Sequence, residues 1–547
     1  MSKKIIKFGT EARKAIQKGV NVVVEAVTTS YGPAGRTSVI GQSYGSPTIA
    51  DDGVTIAKAI ELEGIEQTGV ALIQQAASKT NDNAGDGTTT TTILAGALIN
   101  EGLKVVEAGS DPVKLRAGIK KAVEYSLVKL NEMTVPVKTK EDKVNVATIS
   151  SRSNVIGQMV AEILEEVGND GVVTVESGDS NEITKKVTQG MQFDKGYKSP
   201  YFVTDTTKME AIVEKPFILV TDCKVTTIQD VLPLMEEMVQ SGKKDLVIIA
   251  EDIEGDALAT FVLNKIRGVF NVYAVQAPAF GDRRKAVLED IATLIGATFV
   301  SSDLGMNLKT TKMGDLGSSD RVIITKDDTT IVGGSGDKNL LDSRIALMRA
   351  SLVEIKSDYD KEKVQERIAK LVGGVGVLKV GAATEVEMKE LKYVVEDAVN
   401  ATKAAISEGV VAGGASTLVR LSKALENLEG ENDEENIGIN IVKKAFLAPF
   451  RAIAKNSGIY DIALIQAKIE NSPNAGYNFK LLVEVEDMFK AGIIDPKLVL
   501  REAITNAGSI AGSIITTEVV VVDAPKEESS PNMQGGMGGM GGMGMDY

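Results

Sequence analysis

Apolar positions between Thr10 and Thr29 recur three and four residues apart, at Ile16, Val20, Val23 and Val27. That is the repeat of one buried helical face, here behind a threonine suited to cap it. "YGPAGRTSVIG" (31–41) breaks the repeat with a Gly/Pro turn entering a short strand, and "SPTIADDGVTIAKAIEL" (46–62) reads strand, acidic turn, helix. Helical spacing dominates until "NEMTVPVK" (131–138), where the pattern changes. Short β-rich runs follow: "GVVTVE" (171–176), "PFILVTD" (216–222), "DLVIIAED" (245–252), "VYAVQAP" (272–278) and "RVIITKD" (321–327), with helical stretches between several of them. This middle region reads as α/β. From about residue 340 helices return, interrupted by "VGGVGVLKVG" (372–381), and "TEVVVVDAP" (517–525) closes the last third as a strand. Helical, α/β, helical fits three successive domains. It fits equally one helical domain made from both ends with the middle inserted, and periodicity does not choose. The tail "NMQGGMGGMGGMGMDY" (532–547) is of low complexity, which predicts disorder.

Composition narrows the chemistry. The 547 residues suggest three or four domains of ~150 residues each. Lys and Arg total 61 against 75 Asp and Glu, a net charge of −14, so neither nucleic acid nor an anionic membrane surface is an expected partner. No apolar run reaches the ~18–20 residues of a membrane helix. "MSKKIIKFGTEARK" has the basic residues of a signal peptide without an apolar core behind them, so the expectation is a cytoplasmic protein, or one already processed for an organelle. There is no histidine and one cysteine, Cys223. Imidazole bases, Ser-His-Asp triads and Cys/His zinc sites are therefore excluded, and no intrachain disulfide can form. What remains is oxygen chemistry: Asp, Glu, Ser and Thr around a hard cation such as Mg²⁺, usually with phosphate.

"NDNAGDGTTTTTILA" (81–95) concentrates that chemistry. Read as a loop entering a helix, Gly85 to Thr90 offer unpaired amides and hydroxyls to a phosphate, with Asp86 placed for Mg²⁺. The same residues would also serve as a helix cap and a packed β-branched face. No G-x-x-x-x-G-K-[ST] occurs, so this is not an ordinary P-loop. "TTSYGPAGR" (28–36), "ADDGVT" (50–55), "EGVVAGGAST" (408–417) and "GIIDPK" (492–497) are turns of similar style.

Taken in order, these segments resemble the group I, GroEL-type chaperonins along essentially the whole chain. The opening threonine run, "GMQFDKGYKSPYF" (190–202), "IIAEDIEGDALAT" (248–260), "AFGDRRKAVLEDIATLIG" (279–296), "SDYDKEKVQERIAKLVGGV" (357–375), "KVGAATEVEMKE" (379–390), "EGVVAGG" (408–414) and the Gly-Met tail carry the likeness. It implies a multidomain α/β subunit with a mainly helical equatorial domain and nested equatorial–intermediate–apical architecture. The implied bounds are equatorial 1–132 and 408–525, intermediate 133–189 and 376–407, apical 190–375, and a flexible Gly-Met tail 526–547. It also implies an ATPase using ATP, Mg²⁺ and K⁺, and non-native polypeptides as substrates. The subunits would form seven-membered rings, stacked as a double ring of 14, with a GroES-type co-chaperonin ring as lid.

By the same resemblance, Ser30, Gly32 and Pro33 would line the phosphates, and Asp86, Gly87, Thr88, Thr89 and Thr90 would cradle them, with Asp86 on the metal. Asp52 would stand near the γ-phosphate and Asp397 would act as general base. Gly414 would contact the nucleotide, and Asn478 and Asp495 would approach base and ribose. Tyr197, Tyr201, Phe202, Leu232, Met235, Leu258, Val262 and Leu263 would form the apolar surface for clients and for the lid. The leucine and valine spacing in "VLPLMEEMVQ" (231–240) and "DALATFVLNKI" (256–266) also fits ordinary core. The chain departs from the pattern at Asp51, where Lys is usual beside the catalytic Asp, and at Ala34, Lys198, Ala415, Phe479 and Lys480. Those changes leave open a diverged paralogue that holds unfolded chains with weak or no ATPase.

Overall fold

The structure is a computed structural model. It describes residues 4–41, 47–50, 52–168, 171–178, 180, 182–206, 208–352, 355 and 357–524. Asp51 and the Gly-Met tail lie outside the described residues. By their contacts the residues divide into two compact units, and the chain leaves the first at Thr134 to return at Val411.

The first unit opens with a strand, Lys4–Phe8, that pairs antiparallel with Val519–Asp523 near the other end of the chain. Helices α1 (Gly9–Thr28), α2 (Gly53–Lys58), α3 (Glu66–Ala84), α4 (Thr88–Glu107) and α5 (Pro112–Glu132) follow. Thr10 is not the expected cap: the chain enters α1 straight from the strand, and Phe8 at the N-cap makes no side-chain bond. At α5 the cap is textual in the sequence, with the Asp111 carboxylate accepting the Val113 amide at 2.8 Å and Pro112 opening the helix.

The second unit carries α6 (Lys140–Ser151), α7 (Asn154–Val167), α8 (Leu232–Gln240), α9 (Gly255–Ile266), α10 (Gly281–Ile295), α11 (Lys338–Ser351), α12 (Asp358–Gly373) and α13 (Glu385–Glu408). Among the described residues its two larger sheets have distinct main cores, joined where Val332 meets Val375 and Val377. In the larger, Asn271–Gln276, Asp245–Ala250 and Phe217–Thr221 run parallel, and Gly317–Ile324, Thr329–Gly334 and Gly190–Phe193 continue antiparallel. Leu246 to Ala250 are buried, the continuous apolar run expected of a strand covered on both faces. In the smaller, Val375–Val380 lies between Val172–Ser177 and Thr184–Thr188, packed on α6, α7 and α13. A buried carboxylate, Asp290 on α10, is held by Arg344 of α11 at 2.9 Å and Arg367 of α12 at 2.6 Å.

On its return the chain adds α14 (Ser416–Ala424), α15 (Asp433–Ala445), α16 (Leu447–Asn456), α17 (Ala463–Glu470) and α18 (Lys497–Ile515) to the first unit's core. Residues 489–498, assigned from the sequence to the helical part, keep their contacts in the second unit. Ile494 there packs with Val146, Ala401, Ala405 and Val410, and the Lys497 amide donates to the Gly409 carbonyl at 3.0 Å.

Within the first unit, α1 and α3 meet through paired glycines. A Cβ on Gly19 would stand 2.0 Å from the Glu66 carbonyl oxygen, and one on Gly69 would stand 2.1 Å from the Ile16 oxygen. Two opposing effects bear on Gly19→Ala. Helix propensity favours alanine by ~1 kcal/mol, whereas forcing backbone from backbone costs about 1–3 kcal/mol or more. The clash is expected to win, lowering the urea midpoint of unfolding; a raised midpoint would contradict the close approach.

Candidate functional site

Two left-handed glycines make the turn between α3 and α4. Gly85 ends α3 at φ 68° and Gly87 precedes α4 at φ 85°. A Cβ on Gly87 would also come 2.5 Å from the Val499 side chain, so glycine is required there twice over. The consequence for α4 is a helix start without a side-chain cap. Its first amides, with the positive end of the helix dipole, face outward beside Asp86, whose carboxylate accepts the Gly87 amide.

The five threonines divide by role. Thr91 and Thr92 are buried and donate back to the Gly87 and Thr88 carbonyls at 3.0 and 2.9 Å. Thr88 is also buried, and its hydroxyl donates to Asp52 Oδ1 at 3.1 Å. Thr89 and Thr90 keep half-buried side chains at the helix end. Asp52 caps α2, accepting the Val54 and Thr55 amides at 3.2 and 2.8 Å and the Thr55 hydroxyl at 2.9 Å. Gly53 lets the start of α2 press against that of α4, since a Cβ there would lie 2.8 Å from the Thr89 amide nitrogen. Asp52 is thus a carboxylate of fixed orientation beside the open helix end.

The loop after α1 is drawn to the same place. Tyr31 Oη lies 2.9 Å from Thr90 Oγ1, and Asn456 Nδ2 donates to the Thr28 and Tyr31 carbonyls, both at 2.9 Å. Ser30 is buried with its hydroxyl donated to Val27 O at 3.0 Å, which turns its side chain into the helix end rather than outward. Gly32 has φ 85° and packs on Ile453, while Pro33 is exposed. Asp52 and, through Tyr31, the loop carrying Ser30, Gly32 and Pro33 are thereby tied to the 86–90 turn.

Gly414 and Asn478 form a second grouping in the same unit. Gly414, at φ 62°, runs beside Tyr477 in the strand Gly476–Asn478. Asn478 Oδ1 accepts the Lys480 and Leu481 amides at 3.0 Å each, so it shapes the turn and leaves its Nδ2 to offer. Arg420 secures the approach to that strand by donating to the Ser472 carbonyl at 3.0 Å and to the Ala475 carbonyl; burial pulls its pKa down to about 10. Phe479, one of the departures from the family pattern, turns into the core. It lies 5.0 Å from the Tyr477 ring and 5.7 Å from that of Phe450. Lys480 is exposed.

Asp397 and Asp495 belong to the second unit. Asp397 is half-buried on α13, next to Glu396, which takes the Lys208 ammonium at 2.6 Å. Among the described residues no group of three or more His, Cys, Asp or Glu is assembled to hold a metal ion. A cation at Asp86 would complete its oxygen shell from phosphate and water, which suits Mg²⁺.

Burial sorts the eight apolar candidates of the second unit. Tyr201 is 68% exposed, Leu232 40% and Leu263 44%, while Tyr197, Leu258 and Val262 are half-buried. Phe202 at 0% and Met235 at 6% belong to the core and offer no surface, a correction to the sequence reading. Phe202 sits 6.2 Å from the Tyr273 ring, and Met235 lies on the inner face of α8. The spacing instead missed Ile266, 64% exposed and one turn beyond Leu263 on α9. Lys198, the polar departure in this stretch, is paired with Asp252 at 2.7 Å.

Residues 23–525 match the TCP-1/cpn60 chaperonin family. The chain belongs to that family. As a chaperonin it has a role in protein folding, and the family is generally an ATPase that uses ATP and Mg²⁺ and assembles into rings. No described helix of this chaperonin is long and apolar enough to cross a membrane.

The two neighbouring aromatics of the chaperonin's 200–202 turn give a direct check on burial. Phe202→Ala is expected to cost about 3–5 kcal/mol of stability, and Tyr201→Ala within about 0.5 kcal/mol. Chemical denaturation of the two variants would show equal losses if Phe202 were a surface residue.

Proposed function

We propose that this chaperonin is of the group I type, hydrolyses ATP at the start of α4, and uses that reaction to drive binding and enclosure of non-native polypeptides. The observation carrying the nucleotide site is the uncapped helix start after Gly87, flanked by Asp52 and Asp86 and by the loop at Gly32. Amides and threonine hydroxyls there donate to phosphate oxygens. Each carboxylate within ~5 Å of a phosphate charge opposes it by roughly 3 kcal/mol at an effective dielectric of ~20. Mg²⁺ at Asp86 would offset that repulsion and neutralise charge developing on the phosphates. Asp52 then accepts a fixed place near the terminal phosphate, and Asp397 supplies the general base that orients water. Gly414 contributes a nucleotide contact, and Asn478 and Asp495 contribute to base and ribose recognition. Positioning and charge neutralisation are most of what phosphoryl transfer asks of a protein.

Leu232, Leu263, Tyr201 and Ile266 supply exposed apolar area for clients. α8 and α9 both pack on the short turn Ile228–Asp230. Burying one client Leu or Phe yields ~1.5–3 kcal/mol, and repetition around a ring of seven, or a double ring of 14, turns weak contacts into strong, sequence-tolerant binding. A GroES-type lid binding the same surface would displace the client into the chamber.

ATP turnover by the purified protein with Mg²⁺, beside an Asp397→Ala variant, tests this reading. Removal of a general base is expected to lower kcat by about 10²–10⁴-fold while nucleotide binding persists. Assembled rings that suppress aggregation yet show no turnover would leave a holdase, the outcome that Asp51 in place of the usual Lys favours.

A further inference from the structure

Behind the first turn of α4, buried polar side chains form a continuous chain across three helices. Glu502 and Asn506 on α18, Thr80 on α3 and Thr91 on α4 are all buried. Asn506 Nδ2 donates to Thr80 Oγ1 at 3.0 Å, and the Thr80 and Thr91 hydroxyls are 2.9 Å apart. Thr91 Oγ1 donates to the Gly87 carbonyl at 3.0 Å. At the far end Glu502 Oε2 accepts Asn83 Nδ2 at 2.7 Å and stands 3.5 Å from Asn506 Nδ2.

Proton count leaves two orders, and the shorter carbonyl contact, Thr91 to Gly87 O at 3.0 Å, selects one. Each threonine has a single hydroxyl proton, and an amide nitrogen cannot accept. With the Thr91 proton on Gly87 O, the Thr80 proton goes to Thr91; its alternative, the Ala76 carbonyl, is farther away at 3.2 Å. The order is Asn506 to Thr80 to Thr91 to Gly87, and bonds aligned this way polarise one another. Filling space does not require these groups. Ala76, Ala77, Ala503 and Ala507 are buried on the same helices without desolvating a polar atom.

The end point is the informative part. Gly87 O receives both the Thr91 amide, at 3.0 Å, and the Thr91 hydroxyl. In a trans peptide C=O and N–H point in opposite directions, so fixing the Gly87 carbonyl along the helix aims the Thr88 N–H out of its open end. We propose that Thr91, Thr80 and Asn506, oriented by Glu502, are positioning residues for the nucleotide phosphates, acting through the Gly87–Thr88 peptide. This rests on the nucleotide site proposed above.

The test is calorimetric titration of the assembled full-length protein with Mg·ADP, together with thermal unfolding in its absence. Thr91→Val and Asn506→Leu are each expected to weaken ADP binding by about 5–30-fold, the scale of one lost buried hydrogen bond. Because the groups act in series, the double variant should lose little more than either single one, and Thr91→Ser should bind within about twofold of the unmodified protein, since it keeps the hydroxyl. Should Thr91→Val fail to assemble, Asn506→Leu reads the same chain from its other end. Unchanged ADP affinity in the variants, with only a lowered melting temperature, would overturn the positioning role and leave the nucleotide site intact. Fully additive losses would overturn the series arrangement. No ADP binding by the unmodified protein would remove the nucleotide site and this proposal together.

Discussion

Everything proposed for the first unit depends on how the backbone passes from α3 to α4. Two residues in left-handed conformation, with one carboxylate between them, reverse the chain so tightly that the new helix starts with no side chain over its amides. An ordinary cap would place a Ser, Thr, Asp or Asn oxygen there and satisfy them internally. Here the capping oxygen belongs to the next helix start instead: Asp52 closes α2, and reaches α4 only through the Thr88 hydroxyl. The surrounding contacts all limit the freedom of that turn. Val499 presses on Gly87, Gly53 on Thr89, and Tyr31 on Thr90. A helix end left open in this way is stable in water, and it gains strongly from an anion.

In the second unit the comparable constraint is which side of a helix the apolar core covers. α8 and α9 each bury one apolar face and leave a second apolar face outside. Met235 and Phe261 serve the inner role, Leu232, Val239, Leu263 and Ile266 the outer one. The stability of these helices therefore does not rest on the residues available for binding. Those outer residues, proposed above for client contact, can vary without loss of the buried face.

Much of this was legible in the sequence where a pattern maps onto one local cause. The buried strand Asp245–Ala250 and the acidic turn before α2 each follow from a few neighbouring residues. The absence of histidine directed attention to carboxylates and hydroxyls, and the glycines of the 85–87 turn pointed to an open helix start. What could not be read depends on residues far apart in the chain. Phe202 and Tyr201 look alike until Tyr273 is known to lie behind one of them. Phe479 follows Asn478 directly in sequence, yet packs beside Phe450 in the core. Asn506 and Thr80 are 426 positions apart and carry no shared motif. Residues 489–498 likewise changed unit because of contacts with α6 and α13 that periodicity does not encode.

The pairing of Lys4–Phe8 with Val519–Asp523 has a consequence for the order in which this chain can be made. The first unit draws α1 to α5 from one end of the polypeptide and α14 to α18 from the other, so its core includes contacts such as Leu115 and Leu98 with segments beyond residue 411. During synthesis the N-terminal helices emerge first and wait, partly uncovered, while nearly three hundred residues of the second unit are added. The second unit, contiguous from Val135 to Val410, can assemble most of its own core in that interval. The early helices thus pass through a long-lived exposed state before their partners arrive, and the slow closure of such distant contacts makes this protein, in its own nascent form, a chain of the kind that needs protection from aggregation.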